Sequence, residues 1–110
     1  MKYKAIKTVV DGHKFDSKLE ARRYADLKLW EKAGEIRDLV LQPRFELQPA
    51  FDKNGVHYRK IEYVADFLYY DNRKKCKVIE DSKGFKTDVY SLKKKLLEFK
   101  FPDWTIMEVN

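Results

Sequence analysis

Apolar and polar residues change period several times along the 110-residue chain, and each change marks an element. Thr8-Val9-Val10 and a short run ending at Phe15 flank Asp11-Gly12, a pair suited to the positive φ angles of a two-residue hairpin turn. A small N-terminal hairpin is expected. In "FDSKLEARRYADLKLWEKAGE", Asp16 or Ser17 can cap a run of strong helix formers and Gly34 can stop it, which predicts a first helix over about residues 17–33.

"IRDLVLQPRFELQPAF" and "VHYRKIEYVADFLYY" are rich in β-branched and aromatic residues and are joined by "DKNG", whose Asn54-Gly55 signals a hairpin. Pro43 and Pro49 predict a bulge or an edge in the first of these strands. After the turn "DNRKK", residues 76–83 read as a third strand. Thr87 can cap a second helix over about 88–100, with Val89, Leu92, Leu96 and Phe99 on one apolar face. "FPDW" turns the chain and "WTIMEV" closes it as a strand. The order of hairpin, helix, three antiparallel strands, helix and strand predicts one α+β domain over residues 1–110, a mixed central sheet flanked by helices.

Composition agrees with a folded protein: 44% hydrophobic and 15% aromatic residues against 38% charged. Twenty-four Lys and Arg against eighteen Asp and Glu leave a charge of +6, which suits a polyanion such as nucleic acid and equally keeps a small protein soluble. Cys76 is the only cysteine, so an internal disulfide is excluded, and with His13 and His57 it makes no zinc constellation. A reducing, cytoplasmic setting is expected. No run is apolar enough for a signal peptide or a membrane span, so no membrane partner is expected. His13 and His57 read as surface residues and Cys76 as a core or near-surface thiol without chemistry.

"VIEDSKGFKT" crowds Glu80, Asp81 and Lys83 at the end of a strand that its β-branched approach marks for burial. "IEYVADFLYY" reads as a strand buried on both faces, with Tyr63, Ala65, Phe67 and Tyr69 on one side and Val64 and Leu68 on the other. Asp66 stands in its middle and needs a partner. Asp81 and Lys83 share a strand face while Glu80 points away, so Lys83 can be that partner and Glu80 reads as a supporting structural acid. If the two strands are neighbours, Asp66 and Asp81 lie side by side, where their repulsion suits a hard divalent ion such as Mg²⁺. On the residues alone, a buried Asp–Lys salt bridge accounts for the pattern equally well. Ser17-Lys18-Leu19-Glu20 is a capping box on spacing, Gln42 reads as a structural glutamine, and Lys86, Lys93 and Lys94 are the basic residues best placed for phosphate contacts.

Asp66, then Asp81-Ser82-Lys83, together with this element order, resembles the PD-(D/E)xK nuclease superfamily and its restriction-endonuclease-like αβββαβ core. More closely, "FDSKLEARRYADL", "LQPRFEL", "YVADF" and "EDSKGFKTDVYSLKKKL" resemble an uncharacterised family of short phage and prophage proteins placed in that superfamily. The proline often found before the first aspartate is Ala65 here. The resemblance implies a Mg²⁺-dependent endonuclease, with Mn²⁺ able to substitute and no small-molecule cofactor. Asp66, Asp81 and the Ser82 carbonyl are the implied metal ligands, Glu20 a third acid, and Lys83 the residue that positions or activates water. Likeness to Holliday-junction resolvases of the phage endonuclease I type implies branched DNA in phage DNA metabolism within the host cytoplasm. A two-fold symmetric junction then implies a homodimer. The alternatives are a non-catalytic module binding nucleic acid or a replication protein on the same fold, and a nuclease acting on flaps, nicks or linear duplex.

Overall fold

The computed structural model of the chain describes residues 7–82 and 86–109. Asp11 and Gly12 take φ of 52° and 77°, closing β1 (Thr8–Val10) onto β2 (His13–Phe15) as the turn chemistry predicts. Helix α1 (Lys18–Lys32) begins where the Ser17 hydroxyl accepts the Glu20 N–H at 3.1 Å, and Gly34 follows its end at φ 81°.

From Ile36 to Asp71 the chain makes one long bent hairpin. Its outgoing arm is β3 (Ile36–Leu41), β4 (Arg44–Gln48) and β5 (Phe51–Lys53); its return is β6 (Val56–Tyr58), β7 (Ile61–Val64) and β8 (Phe67–Asp71). Asn54 and Gly55, at φ 53° and 76°, turn the tip, where every residue of β5 and β6 is exposed. Strand β9 (Cys76–Ser82) pairs antiparallel with β8, α2 (Asp88–Lys100) crosses over, and β10 (Thr105–Val109) returns parallel to β9. The result is an α+β fold around a mixed four-stranded sheet in the order β10-β9-β8-β3.

The structure corrects the expected continuous strand through Asp66. Both arms of the hairpin break at the same level, between Leu41 and Arg44 and between Val64 and Phe67. Pro43 offers no N–H to a ladder, and Gln42 takes φ 49°. The arms stay bonded across the break, Gln42 N–H to the Asp66 carbonyl at 2.8 Å and Ala65 N–H to the Pro43 carbonyl at 3.1 Å, but the chain rotates.

Rotation changes which side chains share a layer. Tyr63 and Ala65 join Phe45, Ile79 and Leu97 in one core cluster. Phe67 and Tyr69 join Phe15, Ala21, Tyr24, Leu27, Ile36 and Val78 in the other, beneath α1. The expectation that Tyr63, Ala65, Phe67 and Tyr69 line one face is therefore overturned, and Val64 is 43% exposed rather than buried. Asp66 occupies the point at which the chain passes between layers.

Helix α2 carries a second correction. Its expected core face is solvent-exposed: Val89 61%, Leu92 58%, Leu96 42% and Phe99 88%. The buried side holds Leu97, with Tyr90 and the following Phe101 partly buried beside it. Aromatic packing selects that side, since the Phe45, Tyr63 and Trp104 rings lie 6.0 Å or less from Tyr90 or Phe101.

Candidate functional site

Alternation along β9 sends adjacent residues to opposite layers. Val78 and Glu80 face α1, while Ile79 and Asp81 face the α2 side, and both carboxylates are fully buried. Arg23 of α1 grips Glu80 with two bonds of 2.8 Å, Nε to Oε2 and Nη2 to Oε1, and the Tyr69 hydroxyl donates to Oε1 at 3.0 Å. This bidentate pairing raises the Arg23 pKa. Glu80 is accordingly a structural acid tying α1 to the sheet.

The carboxylates of Asp66 and Asp81 each brace the backbone of the opposite strand, Asp81 at Asp66 and Asp66 at Ser82. Asp66 N–H donates to Asp81 Oδ1 at 3.2 Å and to the Glu80 carbonyl at 3.1 Å, while Ser82 N–H donates to Asp66 Oδ2 at 2.5 Å. The antiparallel register, with Phe67 opposite Glu80, continues to place Asp66 opposite Asp81. The sequence expectation that these two carboxylates are neighbours is met in this arrangement. Asp66 is half-buried, so it forms the accessible side of the pair.

Glu20 approaches Asp66 from α1 and is 5% exposed. Burial, followed by the negative charge of Asp66 and of Asp16, pushes its pKa up to about 7, against a lowering by the Gln42 side chain. Its Oε1 is buried with no hydrogen-bond partner, as is Ser82 Oγ. Ser17 caps the helix through its own hydroxyl, while the Glu20 carboxylate is hydrogen-bonded by the Gln42 side chain and the Asp16 backbone and lies near enough to Asp66 to feel its charge. Lys83 lies outside the described residues.

On the α2 side the Tyr63 hydroxyl donates to Asp81 Oδ2. Tyr63 and Tyr90 meet, with ring centroids 6.0 Å apart and their hydroxyls within hydrogen-bonding reach, and Tyr90 donates to Glu108 Oε2 at 2.6 Å. Glu108 stands beside Asp81 in the β9–β10 register. Lys86 and Lys94 reach Glu108 Oε1 at 3.0 and 3.7 Å, whereas Lys93 is on the neighbouring helix position and half-buried. The Tyr90 bond, then the Lys86 bond, lowers the Glu108 pKa, and burial raises those of Tyr63 and Tyr90. Lys86, Lys94, Tyr90, Ser91, Lys95, Glu98 and Glu108 line a cavity of about 320 Å³.

His57 pairs with Asp52 at 2.7 Å on the exposed tip, His13 is exposed, and Cys76 Sγ lies 3.8 Å from Thr105 Oγ1. A cavity of about 430 Å³ lined by Arg23, Trp30, Tyr69, Asp71 and Met107 among others is not lined by Asp66 or Asp81. Sequence reasoning missed Arg23, Tyr63, Tyr90 and Glu108 as parts of the polar network. In the sequence Arg23 is simply one of two adjacent arginines, and the tyrosines are strand and helix aromatics.

A family model described as "Protein of unknown function (DUF1064)" matches residues 1–109. The chain belongs to this family. No curated protein and no solved structure matches it. Among the described residues of this DUF1064 chain, no group of three or more His, Cys, Asp or Glu side chains is placed to share a metal ion. The donors at the strand break are nonetheless hard oxygens, the Asp66 and Asp81 carboxylates with the adjacent Ser82 main chain, and Glu20, whose buried Oε1 has no hydrogen-bond partner, lies within reach of the Asp66 charge. Their chemistry fits a divalent cation with oxygen preference rather than a soft metal. No helix of the described DUF1064 chain is long and apolar enough to cross a membrane.

Proposed function

We propose that this DUF1064 protein is a Mg²⁺-dependent endodeoxyribonuclease of the PD-(D/E)xK type, built on a restriction-endonuclease-like core and acting on branched DNA. The observation that carries the reading is the cross-strand bracing at the point where the chain changes layer, the Asp81 carboxylate holding the Asp66 amide and the Asp66 carboxylate the Ser82 amide, with Glu20 buried within reach of the Asp66 charge. Asp66 and Asp81 meet across the strands, and Glu20, pushed up to about 7 by burial and then by the Asp66 charge, adds a third acid nearby, at a cost to stability that a bound cation would offset.

Asp66 and Asp81 would hold the ion, with the Ser82 carbonyl as a further ligand and Glu20 as the third acid. A bound divalent ion supplies charge neutralisation at a phosphate and a more acidic water. Tyr63 and the Asp66 N–H hold the Asp81 carboxylate still, so its lone pairs do not reorganise when substrate arrives. Asp66, half-buried, is the more accessible of the two acids and would meet an incoming phosphodiester first. Lys83 takes the role of positioning or activating water. Lys86 and Lys94, gathered on Glu108, would supply phosphate contacts, with Lys93 as a further candidate from the adjacent helix position. A four-way junction substrate calls for two matched sites, hence a homodimer, and the expected setting is the host cytoplasm of a phage-encoded protein.

The non-catalytic alternative draws on one observation, that the described residues offer no ready three-ligand group. Labelled four-way junction, flap and linear duplex incubated with Mg²⁺, Mn²⁺ or EDTA separate the readings. Metal-dependent cleavage of the junction is expected, falling at least about 100-fold in Asp66→Ala and in Asp81→Ala. Tight binding with no cutting under any metal would leave the binding module, and cutting that survives both substitutions would remove the assigned site.

A further inference from the structure

Asp81 is fully buried, yet its two oxygens face different surroundings. Oδ1 accepts the Asp66 N–H at 3.2 Å, on the side where the second acid lies, and Oδ2 accepts the hydroxyl of Tyr63 from β7. Tyr63 is 2% exposed and is itself confined by Phe45 and by Tyr90. Tyr90 in turn donates at 2.6 Å to Glu108, the residue beside Asp81 in the next strand. Two neighbouring carboxylates on one sheet face are thus each held by a tyrosine hydroxyl, and the two tyrosines touch.

From this juxtaposition we propose that Tyr63 is a positioning residue for cation binding: by occupying Oδ2 it leaves Oδ1 as the oxygen that Asp81 presents towards Asp66, and Tyr90 anchored on Glu108 keeps Tyr63 in place. The proposal rests on the reading of Asp81 as an ion ligand and adds how that ligand is aimed. A carboxylate free to rotate offers either oxygen or both, and each alternative changes where the ion sits relative to Asp66. Hydrogen bonds to the outer oxygen of a ligand fix one geometry, and losing such a partner typically weakens metal affinity by about 10–100-fold. Tyr90 acts through Tyr63, so its loss has the smaller effect. Phenylalanine at either position keeps the ring packing and removes only the hydroxyl.

Mn²⁺ alone is the probe, its free fraction read by electron paramagnetic resonance, on wild type, Asp81→Ala, Tyr63→Phe and Tyr90→Phe, with melting of each protein in EDTA recorded separately. Mg²⁺ titration of the wild type, followed in the near-ultraviolet tyrosine band, gives a signal that a merely structural hydroxyl would not produce. Expected are loss of Mn²⁺ binding in Asp81→Ala, a weakening of roughly tenfold or more in Tyr63→Phe, a weakening of about threefold in Tyr90→Phe, and a Mg²⁺-induced tyrosine shift. If Asp81→Ala abolishes binding while Tyr63→Phe binds as wild type, the positioning role is overturned and the ion site stands. If Asp81→Ala binds as wild type, the ion site itself falls and the positioning role with it. Should Tyr63→Phe fail to fold, a wild-type spectrum unmoved by saturating Mg²⁺ overturns the proposal, and a shift diminished in Tyr90→Phe upholds it.

Discussion

Glu80 and Asp81 are consecutive, equally buried and chemically alike, yet the sheet treats them differently. Glu80 faces α1, where Arg23 meets both its oxygens in a fork and Tyr69 adds a third bond. Asp81 faces the α2 side, where Tyr63 and the Asp66 amide hold its oxygens beside a second carboxylate. The first environment is one that anchors an element; the second keeps an anion oriented next to another anion. Strand parity alone decides which acid receives which treatment.

The largest stability effect should separate the two acids. Arg23→Ala strands the Glu80 carboxylate in the interior and is expected to cost about 3–5 kcal/mol in urea unfolding. Asp81→Asn, which retains an oxygen acceptor, is expected to cost about 1 kcal/mol in EDTA. Equal losses would erase the distinction. On the Asp81 side, Leu97→Ala is expected to cost about 2–4 kcal/mol, because Leu97 is fully enclosed between α2 and the sheet.

Glu20 tests the crowding of acids. Its folded pKa, about 7, lies above the ordinary value of 4.5, so the folded state holds a proton that the unfolded chain releases earlier. Stability in EDTA should therefore fall as pH rises from about 4.5 to 7 and level off above it. Glu20→Gln should remove that slope and raise stability at pH 8 by about 1–2 kcal/mol. An unchanged slope would show that Glu20 is not held against Asp66. The smallest effect belongs to Phe99→Ser on the exposed face of α2, within about 0.5 kcal/mol of wild type by thermal melting.

What could be read from the sequence was local. Asp11-Gly12, Asn54-Gly55, Ser17 and Thr87 act on their immediate neighbours, and the turns and caps they predict are present. The break at Asp66 was not legible in its own strand, because its cause includes Pro43 on the opposite arm, twenty-three positions earlier. Helix α2 misled because it has two apolar sides. Aliphatic spacing favoured Val89, Leu92, Leu96 and Phe99, whereas the rings of Phe45, Tyr63 and Trp104 favour the side of Tyr90 and Leu97. Pairing of Asp66 with Asp81 followed from a short turn between antiparallel strands. The contacts of Arg23 with Glu80 and of Tyr90 with Glu108 join distant segments and leave no periodic trace.

The bent hairpin also grades the molecule's resistance to opening. Near β8 and β9 its backbone amides sit inside a four-stranded ladder, whereas β5 and β6 have only one another, with Phe51 stacked on Tyr58 at 4.8 Å. A lone two-stranded ribbon is marginal in water. Deuterium should accordingly enter amides at the Asn54-Gly55 tip within moments and reach those of Ile79 last, tracing a gradient that ends beside the paired aspartates.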